Sequence, residues 1–287
     1  MPPATGHDIL ADVKDAIHFI SSSLHLDMAS HLLESHRPSV FGFKVDPDAI
    51  AVMGTSAGGL CAYLAAAHAV PKPKAVLSMY GMGGNLLTSQ YFSPKTTAFF
   101  RGRELLDSAN FRDYLYPASE ILAQTSDSAL IYHSQTSATP GYPANPRMLL
   151  ARLYLQLGTF MDYYTGCHDP SLSAALRSAA TRQVNVSSAV IEDAIPAEHL
   201  SLFPQLQIGS TWPPTFLIHG SLDSAVLKDE SCHLYHLLQR AGVDAKLKII
   251  DSEEHSFDYQ KDAEEKYGQE GGLFDEIAEF VISHVRL

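Results

Sequence analysis

The sequence predicts an α/β protein: a mostly parallel sheet flanked by helices and interrupted by a large helical insertion. Three observations predict it. Short apolar runs, Ile50 to Met53, Ala75 to Tyr80 and Thr215 to His219, read as strands buried on both faces. Segments of helical period follow the first and third of these runs. From about 86 to 208 the strand–helix alternation stops, and the chain reads as mostly helical with breaks at Pro94, Pro117, Pro140, Pro143, Pro170 and Pro196. The expected organisation is residues 1–85 as the first part of a core, 86–208 as a helical cap or lid, and 209–287 as the second part of the core.

The elements follow in order. Residues 8 to 22 carry Ile9, Leu10, Val13, Ala16, Ile17 and Ile20 at helical spacing, with Asp12, Lys14 and Asp15 opposite; Asp8 is the expected cap. Residues 23 to 46, rich in Ser and His, are expected to hold a short helix and a loop, and Val45-Asp46-Pro47-Asp48 a turn. Helix formers Leu60 to Ala67 follow the first strand, and Pro71-Lys72-Pro73 ends that helix. Gly81 to Asn85 is a loop after the second strand. Inside the insertion, Asn145 as cap and Pro146 at the first position announce one helix from Met148 to Tyr164. Its many aromatics, Tyr91, Phe92, Phe160 and Tyr142 among them, suit packing or an apolar lid over a pocket. A helix from about 228 to 241 follows the third strand. Lys246 to Ile250 has the period-two character of an edge strand, and a helix over 272 to 285 closes the chain.

Bulk properties narrow the function. With 287 residues, 46% of them hydrophobic, the chain suits one large domain or one domain with an insertion. The formal net charge of −12 argues against nucleic acid and anionic membrane surfaces as partners. Cys61, Cys167 and Cys232 are scattered and odd in number, which suits a reducing compartment. No apolar run approaches the ~18 residues of a membrane span. The start of the chain has no signal-peptide pattern, so a cytoplasmic location is expected and the sequon Asn185-Val186-Ser187 reads as a chance match.

The chemistry centres on Gly54-Thr55-Ser56-Ala57-Gly58-Gly59, which matches the G-x-S-x-G nucleophile elbow between a predicted strand and a predicted helix. Small residues at 54 and 58 are expected to let the strained turn close without collision. The turn presents the Ser56 hydroxyl and aims the Ala57 N–H, with Gly58 beside it, at a bound carbonyl oxygen. A glycine-rich turn without chemistry is the bland alternative. A phosphate loop is disfavoured, because no lysine follows the turn. Asp223 and His255 lie beyond later strands. A serine hydroxyl needs a base to become nucleophilic, an imidazole can take and return that proton, and a carboxylate fixes the imidazole's tautomer. Asp223 could instead be a helix cap, Asp251 and Asp258 are competing acids, and His255 could be an ordinary surface histidine. Cys232, His233 and His236 share a helix face; no fourth ligand accompanies them, so no metal is assigned.

Taken together, these stretches resemble the α/β-hydrolase superfamily, in particular its esterase/lipase branch of the hormone-sensitive-lipase type. The elbow, His219-Gly220-Ser221-Leu222-Asp223 (an "HGxxD" acid motif), Glu254-His255-Ser256-Phe257-Asp258 (an "H-x-F" histidine motif) and the lead-in Val45 to Ala51 carry the resemblance. It covers roughly residues 2–85 and 213–287. It implies a serine hydrolase acting on an apolar carboxylic ester or thioester, with Ser56, His255 and Asp223 as triad and no cofactor. A weak enzyme that only binds its ligand, or an acyl transferase or lactone-forming enzyme, is the alternative.

Members of that branch carry an "HGGG" oxyanion segment upstream of the elbow, and this chain has none. Only the Ala57 N–H is then assignable as oxyanion donor, and losing one donor costs ~10²–10³ in rate. The resemblance also implies that the first strands of the family's sheet have no counterpart in this sequence, through either a shortened N-terminus or a divergent short form. Ile50 to Met53 is therefore expected at a sheet edge, open to pairing with a second copy of the chain.

Overall fold

The computed structural model of the protein describes residues 1–24, 26–27, 46–124, 133–136, 145–181 and 191–286. Its elements, in chain order, are α1 (Gly6–Ser22), β1 (Ala51–Thr55), α2 (Ala57–His68), β2 (Ala75–Met79), α3 (Ser89–Phe92), α4 (Leu150–Leu157), α5 (Phe160–Thr165), α6 (Leu172–Thr181), β3 (Thr215–Gly220), α7 (Asp229–Arg240), β4 (Ala245–Ile250), α8 (Ala263–Tyr267) and α9 (Leu273–Val285), joined in places by 3₁₀ turns. Contacts divide the chain into two compact units. One comprises Met1–Asp8 with Leu87–Leu200, the other Ile9–Leu86 with Ser201–Leu287.

The second unit holds the sheet. Among the described residues its four strands run in the order β1-β2-β3-β4, and every pairing is parallel. Parallel strands need covered faces, and both are covered here. On one face Leu77, Met79, Phe216 and Ile218 pack with Phe257, Tyr267, Leu273 and Phe280 from the C-terminal segment. On the other, Val76 and Leu217 pack with Ala62, Tyr63 and Ala66 of α2, Leu234 and Leu238 of α7, and Trp212. The alternation of Val76 and Leu77, and of Phe216 and Leu217, between faces is the period of two that a pleated strand imposes. β2 and β3 are buried throughout, whereas β4 ends the strand order, as expected, and has no fully buried residue; its burial does not follow the strict period of two read from the sequence, because Leu247 and Lys248 are both half-buried. Ile17 of α1 is buried with Ile50, Ala65 and Ala69.

Two local expectations need correction. Thr5, not Asp8, caps α1: the Thr5 Oγ1 accepts from the His7 N–H, and the Asp8 carboxylate accepts in return from the Thr5 N–H at 2.7 Å. The single helix expected from Met148 to Tyr164 is a 3₁₀ turn followed by α4 and α5. Gly158 breaks it at φ 66°, where a Cβ would sit 2.5 Å from the Pro94 nitrogen, so only glycine fits. The expected Asn145 cap is present, its side chain accepting from the Arg147 N–H at 2.9 Å. In the helical unit Tyr91, Phe92, Phe160 and Tyr164 are buried, and Tyr154 stacks on Tyr163 with ring centroids 3.6 Å apart. Tyr142, the sequon and nearly all of residues 23–46 lie outside the described residues.

Candidate active site

β1 ends at Thr55, α2 begins at Ala57, and Ser56 makes the whole turn between them at φ 51°, ψ −124°. That backbone is costly for a residue with a Cβ, by an order of 1–3 kcal/mol, so the surroundings must hold it. They do so from both sides: the Ser56 N–H donates to the Met79 carbonyl at 3.2 Å, and its carbonyl accepts from Gly59 and Met82. The steric demand falls on Gly54, as expected, but on Gly59 in place of Gly58. A Cβ at Gly54 would lie 2.1 Å from the Gly58 oxygen, and one at Gly59 would lie 2.4 Å from Gly81 Cα. One at Gly58 would meet nothing within 4 Å. Gly58 therefore does not serve the collision-free closure assigned to it from sequence; Gly54 and Gly59 do.

The turn after β3 carries Asp223, and the loop after β4 carries His255. The Ser56 hydroxyl donates to His255 Nε2 at 2.9 Å, and His255 Nδ1–H donates to Asp223 Oδ2 at 2.7 Å. Asp223 and His255 are both 6% exposed, while Ser56 is half-buried. The other Asp223 oxygen accepts the N–H groups of Ala225 and Val226, each at 2.9 Å. The competing acids are engaged elsewhere: Asp251 accepts from Ser221 and Ser252, and Asp258 accepts from the Tyr80 hydroxyl.

A serine on a strained strand-to-helix turn, an aspartate after the third strand and a histidine after the fourth, on a parallel sheet covered by helices on both faces, decide the fold class. The fold is that of the α/β-hydrolases. Further residues that sequence reasoning did not single out surround this candidate site. His219 is fully buried; its Nε2–H points to the Val226 carbonyl at 2.9 Å and to Asp223 Oδ2 at 3.2 Å, while its Nδ1 accepts from Ser231 at 2.7 Å. Burial favours a protonated Asp223, but the hydrogen bonds from His219 and then His255 outweigh it and hold the carboxyl at about 2. Glu254 braces the two loops, accepting from the Ser224 and His255 N–H groups at 2.8 and 2.7 Å. Tyr80, at φ 41°, sets its ring edge-on to the His255 imidazole, 4.7 Å between centroids. His219 and Glu254 stand inside the two motifs quoted above, and that is the signal by which they could have been found. Tyr80 has no such signal: only its position at the end of a buried strand marks it.

The model of the prolyl oligopeptidase family matches residues 188–279, the stretch that contains Asp223 and His255. The chain is 33% identical over 117 residues to a non-reducing polyketide synthase, Preu3, of Preussia isomera, which covers 41% of this chain. It is 25% identical over 257 residues, 86% of the chain, to another, trt4, of Aspergillus terreus. The chain spans only 4% and 10% of those relatives' lengths. Among solved structures, it is similar to an acetyl ester-xyloside bifunctional hydrolase of Caldicellulosiruptor lactoaceticus (TM-score 0.42, 16% identity, 100% of this chain and 66% of that one). It is also similar to a thermophilic esterase of Thermogutta terrifontis (TM-score 0.42, 15% identity, 98% and 66%). Among the described residues no helix is long and apolar enough to cross a membrane.

Proposed function

We propose that the protein is a serine hydrolase that cleaves a carboxylic ester or thioester of an apolar acyl group. The observation that carries this is the continuous hydrogen-bonded line Ser56–His255–Asp223, with the hydroxyl 2.9 Å from the imidazole. In this reading His255 takes the Ser56 proton as Oγ attacks the carbonyl carbon, and Asp223 steadies the imidazolium that results. The Ala57 N–H, at the first position of α2, donates to the developing oxyanion with Gly58 beside it. His255 then returns the proton to the leaving group, and water released onto the acyl-enzyme repeats the cycle in reverse. The helical residues 86–208 are assigned the role of cap, their aromatics suiting an apolar acyl chain.

A fluorophosphonate probe tests the reading directly. Covalent labelling that maps to Ser56 by mass spectrometry, and that disappears in His255→Ala, is the expected result. An unlabelled Ser56 in folded protein rejects the hydrolase reading and leaves a ligand-binding protein. A second reading, transfer of the acyl group or lactone formation from a thioester, is favoured by the likeness to proteins named polyketide synthases. A screen of thioesters and oxygen esters with and without added alcohol separates the two. Water-dependent release in every case supports hydrolysis; product esters or lactones support transfer.

A further inference from the structure

The unit formed by Met1–Asp8 and Leu87–Leu200 contains a second line of hydrogen-bonded nucleophile and base, unconnected with Ser56. Cys167 stands in the turn after α5, past Gly166 at φ 83°. Its Sγ is 2.9 Å from His199 Nε2, and His199 Nδ1 is 2.9 Å from His7 Nε2. Three separate segments thus bring a thiol, an imidazole and a second imidazole into one chain, and 192 residues separate the two histidines in sequence. His199 is 8% exposed. Cys167 is half-buried and lines a cleft of about 440 Å³.

The cleft's walls say what can enter. Tyr116 and His168 stack face to face, 4.5 Å between centroids, and both line it, with Leu172 and Ala175 as apolar surface. Its charged lining consists of Glu120, Asp169 and Glu198, and no lysine or arginine stands among the described lining residues. Such a field repels anions and admits neutral molecules.

We propose that Cys167, with His199 as its base and His7 orienting that base, is a second nucleophilic centre, which captures uncharged α,β-unsaturated carbonyl compounds by conjugate addition. The thiol proton passes to His199 Nε2, whose Nδ1–H is held by His7. Sγ bonds to the β-carbon, the carbon–carbon π pair moves towards the carbonyl, and the proton held on His199 passes to the α-carbon. One S–C bond forms, one π bond is lost, and no further reactant is consumed. Burial, and then the proximity of His7, lower the His199 pKa below the usual histidine range. The ring is therefore neutral near pH 7 and free to accept the proton. A soft sulfur nucleophile prefers such soft carbon centres once a base is at hand.

The full chain is treated with acrylamide and, separately, with acrylate, and adducts at Cys61, Cys167 and Cys232 are followed by mass spectrometry. Each rate is divided by that of glutathione with the same reagent, which removes intrinsic differences between the two reagents. Cys167 is expected to react with acrylamide about 10²-fold faster than Cys61 or Cys232, the lower range of what a positioned base contributes. Its normalised rate with acrylate should be about tenfold lower, the effect of ~1.4 kcal/mol of repulsion. His199→Gln should abolish the acceleration. Equal rates at the three cysteines, or no discrimination against acrylate, overturn the proposal; both readouts use the unaltered chain, so they stand even if the variant fails to fold. Retention of the full Cys167 rate in a folded His199→Gln protein overturns the base role.

Discussion

His219 occupies the first residue of the acid motif, yet every polar atom of its ring is spent inside the protein, on Val226, Asp223 and Ser231. It acts on the candidate chemistry only through Asp223, as a positioning residue. His219→Ala would leave the Ser231 hydroxyl and the Val226 carbonyl buried without it, a loss of about 2–6 kcal/mol for two such groups. A denaturant melt reads that, and the esterase rate should fall with it while the KM of a small ester stays constant. Ser56→Ala, by contrast, removes the hydroxyl without opening a cavity. Turnover of a nitrophenyl ester should drop by about 10⁶-fold, as when a nucleophile is removed from a comparable triad, with the melting temperature unchanged. Wild-type turnover in that variant would reject the mechanism. Asp223 also sets a pH dependence of stability. Its folded pKa, about 2, lies below the unfolded value of about 3.9, so its ionised form favours folding above pH 4. That contribution is lost as pH falls from about 4 to 2. The stability gap between wild type and Asp223→Asn should therefore narrow over that window, as thermal melts would record; a constant gap would contradict the assignment.

The elbow shows where sequence reasoning reaches its limit at the level of elements. G-x-S-x-G correctly placed β1, the turn and α2, because a short apolar run followed by helix formers has few other solutions. It placed the steric demand correctly at Gly54 and wrongly at Gly58: backbone packing closes on Gly54 and Gly59, and Gly58 faces open space. The two substitutions should separate cleanly. Gly54→Ala forces a Cβ into the Gly58 carbonyl and should cost about 1–3 kcal/mol, with disruption of the turn. Gly58→Ala, in the first turn of a helix, should be neutral or stabilising by up to about 1 kcal/mol. Chemical denaturation of both variants checks the order; a Gly58→Ala protein less stable than Gly54→Ala would refute it. The strands were legible because β2 and β3 are mostly apolar, as doubly covered parallel strands require, although Ser78, Thr215 and His219 are buried in them as well. The helix after Asn145 was legible at its start, where the cap chemistry is local. Its break was not, because what forbids a side chain at Gly158 is Pro94, distant in sequence. Ser56, Asp223 and His255 were readable as three motifs in order, whereas the placement of Tyr80 and the convergence of Cys167, His199 and His7 exist only once the chain has folded.

At the scale of the molecule, the sheet has two unlike edges. β4 has only half-buried and exposed residues and carries Lys246 and Lys248, the kind of charged edge that discourages pairing. β1 is the other edge: among the described residues it pairs only with β2, and Met53 at its centre is 58% exposed. Its outward backbone groups and this methionine form a strip that carries no charged side chain from Ala51 to Thr55. We therefore expect two copies to associate through β1, which would extend the sheet across the contact. Size-exclusion chromatography with light scattering over a range of concentrations should show the mass rising from 31.3 kDa towards twice that value. Met53→Lys, which places a charge in the middle of the strip while leaving the elbow's own glycines untouched, should shift the equilibrium back to the monomer. A wild-type chain that stays monomeric at every concentration would refute the association, and a dimer indifferent to Met53→Lys would place its interface away from β1.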